Sequence, residues 1–163
     1  LSVMVALSVA GRFAFSFVPH FKPITALVII TGMYLGAESG FLCGALSALI
    51  SNFIFGQGPW TPFQMFSWGL IGFVAALLSG AMKKSKIILS VYGALSGVVY
   101  SLIMDVMSEL VFEEGFNFAR YLSFVITSLP ISAVYAVSNI IFLLLLARPI
   151  GEKMDRLKTK YGI

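Results

Sequence analysis

Apolar residues fill six long stretches of the chain, which short polar or glycine- and proline-containing segments separate. A helix needs roughly 20 apolar residues to cross about 30 Å of hydrocarbon. The pattern therefore predicts an all-α integral membrane protein, a compact bundle of six transmembrane helices that forms one domain over residues 1–163. The predicted spans are Leu1–Phe17, Ile24–Ala37, Gly40–Phe55, Pro62–Met82, Ile87–Asp105 and Tyr121–Ala147. No basic segment precedes the first stretch, which is predicted to be a mature span and not a secretory signal peptide.

Composition strengthens the membrane prediction and sets an orientation. The mean hydropathy is +0.97 and only 11% of the residues are charged, which excludes a soluble globule. Eight of the 11 basic residues lie either between spans four and five, at 83–86, or after span six, at 148–160. The excess of Lys and Arg in cytoplasmic segments predicts that both termini are cytoplasmic and that residues 148–163 form a basic cytoplasmic tail. This asymmetry and lipid headgroup contacts account for the net charge of +4, so no nucleic acid partner is expected.

Small residues recur at helical spacing in two places. Ala6 and Ala10 lie one turn apart on the first span, and such a small-xxx-small stripe allows another helix to approach closely. The stripe is interpreted either as a docking face for a partner helix or as packing within the bundle. Gly36, Gly40 and Gly44 form a similar strip through spans two and three, for which internal packing is the preferred interpretation.

Polar residues on span six share one helical face. Ser128, Ser132, Tyr135 and Asn139 follow offsets of four, three and four, which fit 3.6 residues per turn. Because polar groups are costly inside hydrocarbon, this face is predicted to be hydrated or hydrogen-bonded.

Ionisable residues inside the predicted spans are few. Asp105 and Glu109 lie one turn apart on the fifth helix, so a cation or a shared proton is needed nearby. Arg12, toward the outer end of span one, is the candidate partner. Two interpretations stay open, namely a structural ion pair and a ligand-binding role.

The segment between spans three and four carries the most specific local signal. It reads Gly56-Gln57-Gly58-Pro59-Trp60-Thr61-Pro62, with Gln64 and Trp68 following one turn apart. Gly and Pro here restrict the loop to a defined shape, and amides with flat aromatic faces are typical of a pocket for an organic molecule. Trp60 also fits an interfacial aromatic belt. Gln64 and Trp68 are predicted to line the pocket.

The sequence does not support a metal site, a disulfide, a cofactor or an enzymatic activity. His20 is a lone histidine in the first outer loop and Cys43 a lone cysteine in a span, so neither a metal site nor a disulfide is predicted. Nucleotide-binding and nucleophile-elbow motifs are absent from the sequence, which predicts no cofactor and no enzyme. Any process that needs energy would have to draw it from a partner or from an ion gradient.

Taken together, the six short spans, Ala6-x-x-x-Ala10 and the Gly56–Pro62 loop resemble the substrate-binding S component of an energy-coupling factor (ECF) transporter. The resemblance covers essentially the whole chain and implies a multi-pass protein of a prokaryotic cell membrane. It implies that Ala6 and Ala10 contact a transmembrane T component, which connects to two cytoplasmic ATPases. It also implies that a vitamin binds near the outer side. The residues predicted to bind it are Arg12, Gln57, Trp60, Gln64, Trp68, Asp105, Tyr135 and Asn139.

The sequence does not decide which vitamin is bound, and it also allows two other function classes. A large ligand rich in amides, such as cobalamin or a corrinoid precursor, is the first prediction for the vitamin. A smaller pyridoxamine- or pyrimidine-type vitamin is the alternative. An ion-coupled secondary carrier and a membrane subunit that transports nothing are the competing classes.

Overall fold

The computed structural model describes residues 1–162 and folds them into seven α-helices, with no β-strand among those residues. The prediction of an all-helical protein is confirmed. The helices are α1 (Ser2–Ala14), α2 (Ile24–Leu35), α3 (Ala37–Phe55), α4 (Trp60–Leu77), α5 (Ser79–Lys84), α6 (Lys86–Phe112) and α7 (Phe118–Tyr161).

Three of the helices, α3, α6 and α7, are long and apolar enough to cross a membrane by length and composition, and α1 and α2 are shorter apolar helices. Large apolar side chains cover the outer surface of the bundle. Val3, Phe53 and Ile87, for example, are each more than 70% exposed. Exposed apolar surface on this scale is unfavourable in water and favourable against lipid, so the fold agrees with a membrane protein.

Two predicted boundaries differ from the structure. The predicted fourth span consists of two helices, α4 and α5, which meet at Leu78. The last helix does not end at Ala147 but continues as α7 to Tyr161, so most of the predicted tail is helical. Its polar end consists largely of good helix formers and is supported by an ion pair one turn apart, in which Arg148 Nε lies 2.9 Å from Glu152 Oε1.

Glycines allow α2, α3 and α4 to pack with their backbones in contact. A Cβ atom at Gly40 would collide with the carbonyl group of Gly72, and one at Gly44 would collide with the backbone at Trp68. The predicted internal packing therefore holds for Gly40 and Gly44. Gly36 differs, because it lies at the single-residue turn between α2 and α3 with φ of 97°. Among residues 1–162, no atom lies within 4 Å of the position that a Cβ would take there, so close packing does not explain this glycine. Its role is to adopt a backbone conformation that other residues rarely adopt.

Helix α2 forms the centre of the bundle. Its residues from Ile24 to Met33 are all buried, and it contacts each of the other six helices. Each end of α2 borders a cavity, one beside Ile24 and Thr25 and the other beside Met33 and Tyr34.

Candidate functional site

A cavity of about 160 Å³ lies at the N-terminal end of α2, where the segment 15–23 reaches the bundle. Residues from α1, α2, α4, α6 and α7 contribute to its wall together with two residues of the 15–23 segment. The cavity is lined by Arg12, His20, Lys22, Ile24, Thr25, Gln64, Trp68, Tyr100, Tyr135 and Asn139.

One chain of hydrogen bonds links α1, α3, α4 and α6 at this cavity. The Arg12 guanidinium donates to Ser51 Oγ and, at 2.8 Å, to Asn52 Oδ1. Asn52 Nδ2 donates to Gln64 Oε1 at 2.8 Å, and Gln64 Nε2 donates to the Tyr100 hydroxyl at 3.2 Å. Such a connected network satisfies the buried polar groups and fixes the side chains that face the cavity.

Three aromatic rings form a continuous wall. Trp68 and Tyr100 are stacked, with ring centroids 4.9 Å apart and ring planes 14° apart. Tyr135 meets Tyr100 edge to face at 5.2 Å, and Trp68 Nε1 donates a hydrogen bond of 3.0 Å to Thr25 Oγ1. Because each ring is held by a neighbour, the wall presents fixed apolar faces.

The 15–23 segment covers the cavity and attaches to α7. His20 Nδ1 lies 3.0 Å from the Tyr135 hydroxyl, and the Lys22 backbone N–H donates a 3.0 Å hydrogen bond to Ser138 Oγ. His20 adopts φ of 60°, a left-handed conformation that costs a residue with a Cβ about 1–2 kcal/mol. A residue held in such a conformation is more frequent at functional sites than elsewhere.

The cavity carries positive charge without an acidic partner. Its lining includes Arg12 and Lys22 and no carboxylate among the described residues. Arg12 is only 8% exposed, and its guanidinium lies 4.8 Å from the Phe55 ring centroid and 5.3 Å from that of Trp68. Burial, with the nearby Arg12 charge, lowers the pKa of Lys22. Burial, with the charge of Lys22, lowers the pKa of His20. The site therefore favours ligand groups that accept hydrogen bonds or carry negative charge.

The structure brings five of the eight predicted binding residues to this cavity, and they are Arg12, Gln64, Trp68, Tyr135 and Asn139. Gln57 and Trp60 lie outside it. Gln57 Nε2 donates to the Leu49 carbonyl at 3.0 Å, and Trp60 Nε1 donates to the Gly56 carbonyl at 3.2 Å. Both side chains thus bond their own loop and the end of α3, because the positive φ of Gly56 turns the chain back on itself.

Asp105 also lies outside the cavity, and the predicted pairing of Arg12 with Asp105 or Glu109 is wrong. Asp105 Oδ2 accepts a 2.7 Å hydrogen bond from Ser128 Oγ on α7. Glu109 is fully buried and pairs with Arg120, whose Nη2 lies 2.8 Å from Glu109 Oε1. The turn between α6 and α7 places Arg120 beside Glu109, so the carboxylate has a closer cation than Arg12.

Five lining residues were not predicted, namely His20, Lys22, Ile24, Thr25 and Tyr100. The position of His20 and Lys22 depends on how an irregular segment folds over the bundle, for which the sequence holds no periodic signal. The sequence does contain a signal for Tyr100, because this residue follows Gly93 and Gly97 at helical spacing on one face of α6. A Cβ at Gly97 would lie 2.9 Å from the Tyr135 backbone, so this face packs closely on α7.

The stripe of Ala6 and Ala10 faces outward. Both residues are exposed and line an open apolar groove of about 600 Å³ between α1 and α3, with Leu46, Ile50 and Ile54 on its other side. Internal packing, the second interpretation of the stripe, does not describe this face in residues 1–162.

The fold and the site define a class, a helical membrane protein that encloses a small polar and aromatic cavity near one end of its central helix. A family model described as "ECF-type riboflavin transporter, S component" matches residues 1–155. The chain belongs to this family, which is a class of transporter subunits and not of enzymes, and the predicted resemblance to an ECF S component is confirmed. No solved structure matches the fold. The described residues hold no cluster of metal-ligating side chains.

Proposed function

We propose that this chain is the vitamin-binding S component of an ECF transporter and that its ligand is riboflavin. The observation that carries the proposal is the cavity itself, in which a stacked aromatic wall faces two cations and, among residues 1–162, no carboxylate. The description of its family, which names riboflavin, points to the same ligand.

The chemistry of a flavin matches this wall. Its isoalloxazine ring is flat and aromatic, its pyrimidine edge carries carbonyl oxygens and a ring nitrogen that accept hydrogen bonds, and its side chain carries hydroxyl groups. Trp68 and Tyr100 offer the ring a stacking surface. Arg12 and Lys22 offer donors for the pyrimidine edge. Gln64 and Asn139, which can both donate and accept, suit the hydroxyl groups.

The volume of the cavity bears on which ligand fits. At about 160 Å³, it lies below the roughly 300–1,000 Å³ of typical pockets for organic ligands. A flavin therefore requires the 15–23 segment to move outward, and two contacts, of His20 with Tyr135 and of Lys22 with Ser138, hold that segment on α7. The corrinoid predicted from the sequence is many times larger than the cavity, and the family description does not support it.

The groove along Ala6 and Ala10 would receive a helix of the transmembrane T component, which connects to two cytoplasmic ATPases. The chain would lie in a prokaryotic cell membrane as one domain with six crossings, α4 and α5 together forming the fourth. The basic residues at 83–86 and 148–160 support cytoplasmic termini, and with the termini on that side the cavity would lie at the outer end.

The first test is to purify the chain in mild detergent, denature it and identify released small molecules by mass spectrometry. Riboflavin at one equivalent per chain is the expected result. The protein stripped of ligand is then titrated with riboflavin and, separately, with cobalamin, with binding followed by calorimetry. Cobalamin binding without riboflavin binding would reject the flavin proposal, and binding of neither would favour a carrier or a structural subunit.

A matched pair of variants tests the position of the site. Gln64→Ala removes an amide from the cavity wall, whereas Gln57→Ala removes the same group from the neighbouring loop outside it. Loss of a neutral hydrogen bond of about 0.5–1.5 kcal/mol corresponds to roughly a 2- to 13-fold weaker Kd. We expect this loss for Gln64→Ala only. Equal riboflavin affinity of both variants would show that the ligand binds elsewhere.

A further inference from the structure

A second cavity lies at the opposite end of α2 from the candidate vitamin site. Its volume is about 290 Å³, and it opens between α2, α5, α6 and the polar part of α7. The cavity is lined by Met33, Tyr34, Met82, Lys83, Lys84, Lys86, Leu89, Leu143, Leu144, Ala147, Arg148, Glu152 and Asp155. Nothing in the proposed transport function uses this cavity.

The rim of the cavity is basic. It carries four cations and two carboxylates, a balance of +2. Glu152 is already engaged by Arg148 at 2.9 Å. Among residues 1–162, Lys83, Lys84 and Lys86 form no ion pair, so their charges are available to an anion.

Two features hold this positive rim in place. The Lys83 ammonium group lies 4.2 Å from the centroid of the Tyr34 ring, a cation–π contact that keeps the charge at the cavity. Lys86 begins α6, whose first turn contains no acidic residue. The positive end of the helix dipole therefore adds to the charge of the lysines.

The inner wall of the same cavity is apolar and reaches the lipid-facing surface. Met33, Met82 and Leu143 are buried on the inner side, whereas Leu144 is 47% exposed. Ile88, close to Lys86 in the chain, is 44% exposed. A ligand in this cavity would thus meet cations at one end and a hydrocarbon surface at the other.

We propose that this cavity binds the phosphate headgroup of an anionic phospholipid, with the acyl chains lying along Leu144 and the neighbouring apolar surface. The lysines supply the attraction for the phosphate, and basic pockets between membrane helices are known to take such headgroups. The apolar wall favours a lipid over a free phosphate, which would gain nothing from it. A bound lipid would anchor the end of the bundle that carries Lys83, Lys84 and Lys86 in one leaflet of the membrane.

The test measures lipid binding by native mass spectrometry of the full chain in detergent. Phosphatidylglycerol and phosphatidylcholine with identical acyl chains are added in turn, and sn-glycerol 3-phosphate is added as a competitor without acyl chains. The cavity variant carries Lys83→Gln, Lys84→Gln and Lys86→Gln. The control variant carries Lys153→Gln, Arg156→Gln and Lys160→Gln, which remove the same charge from three residues of α7 that do not themselves line the cavity.

We expect phosphatidylglycerol to bind the wild-type chain and the control variant in preference to phosphatidylcholine. A lysine near a membrane surface contributes roughly fivefold to such binding, so the cavity variant should lose at least about tenfold. An equal loss in both variants would mean general surface attraction and would overturn the proposal. Competition by sn-glycerol 3-phosphate at the affinity of the lipid would reassign the cavity to a free phosphate compound.

A second measurement needs no variant. Phosphatidylglycerol with a photoreactive group near the start of one acyl chain is cross-linked to the wild-type chain, and the labelled peptides are identified by mass spectrometry. Labelling concentrated at residues 82–89 and 143–147 supports the site. Labelling spread evenly over all lipid-facing helices would reject it.

Discussion

Arg12 offers the sharpest test of the candidate vitamin site, through the substitution Arg12→Met. Methionine keeps a similar length and removes the charge and all donors. In the structure Arg12 is buried at the cavity wall and has no carboxylate partner in residues 1–162. A buried cation of this kind is positioned to donate to a ligand.

The expected loss of affinity follows from the strength of hydrogen bonds made by charged groups. Such a bond contributes about 1.5–3 kcal/mol, so Arg12→Met should weaken the Kd for riboflavin by roughly 10- to 150-fold. The effect on folding is smaller than the number of lost contacts suggests. Removing a buried charge recovers several kcal/mol of desolvation, which offsets the lost bonds to Ser51 and Asn52. What remains is the unpaired Asn52 Oδ1, at about 1–3 kcal/mol, since Ser51 Oγ keeps its bonds to the Ser47 and Ala48 carbonyls.

The assay combines calorimetric titration with riboflavin and thermal unfolding of the ligand-free protein in the same detergent. Arg120→Met is the matched control, because it removes a guanidinium group from the Glu109 ion pair, away from the cavity. It should lower the unfolding temperature, since it leaves the buried Glu109 unpaired, and it should leave riboflavin affinity unchanged.

Two results would refute this reasoning. Riboflavin affinity within about twofold of the wild type in Arg12→Met would mean that Arg12 serves only the network of Asn52 and Gln64. An equal loss of affinity in Arg12→Met and Arg120→Met would mean that both substitutions act through the overall stability of the bundle.

Three further predictions concern docking, packing and pH. Ala10→Trp should abolish uptake by cells that contain the whole transporter, while the purified protein keeps its riboflavin affinity. Leu7→Trp, on another face of α1, is the control and should preserve uptake. Loss of uptake in both variants would contradict the docking role of the groove. Gly72→Ala should lower the free energy of unfolding by about 1–3 kcal/mol, because the added Cβ would collide with the Gly40 carbonyl. Gly80→Ala is the control in open space and should raise the free energy of unfolding by about 0.5–1 kcal/mol. A lower free energy of unfolding in both variants would contradict the packing. Burial lowers the pKa of His20 below its ordinary 6.5, so the closed 15–23 segment keeps its stability above pH 6.5 and loses it as the pH falls below 6.5. Riboflavin should therefore dissociate faster in acid. His20→Gln should remove this pH dependence of the dissociation rate in stopped-flow measurements.

The sequence alone determined the class of protein and much of the cavity wall. Apolar stretches predict helices in lipid because a bilayer cannot hydrogen-bond the backbone, so the all-helical fold follows from composition and pattern. Gln64 with Trp68, and Tyr135 with Asn139, were predictable because polar residues one turn apart share a helical face and must avoid lipid. The resemblance to an ECF S component rested on the six apolar stretches, Ala6-x-x-x-Ala10 and the Gly56–Pro62 loop, and it agrees with the family match over residues 1–155.

Only the tertiary structure decided which charges meet and which loop closes the site. Arg120 takes Glu109 because the turn between α6 and α7 brings them together, which leaves Arg12 to Ser51 and Asn52. His20 and Lys22 reach the cavity because the irregular 15–23 segment folds onto α7. These contacts join residues of different helices and connecting segments, and helical periodicity describes only neighbours within one helix. Pairing and enclosure are therefore set by the packing of the whole bundle.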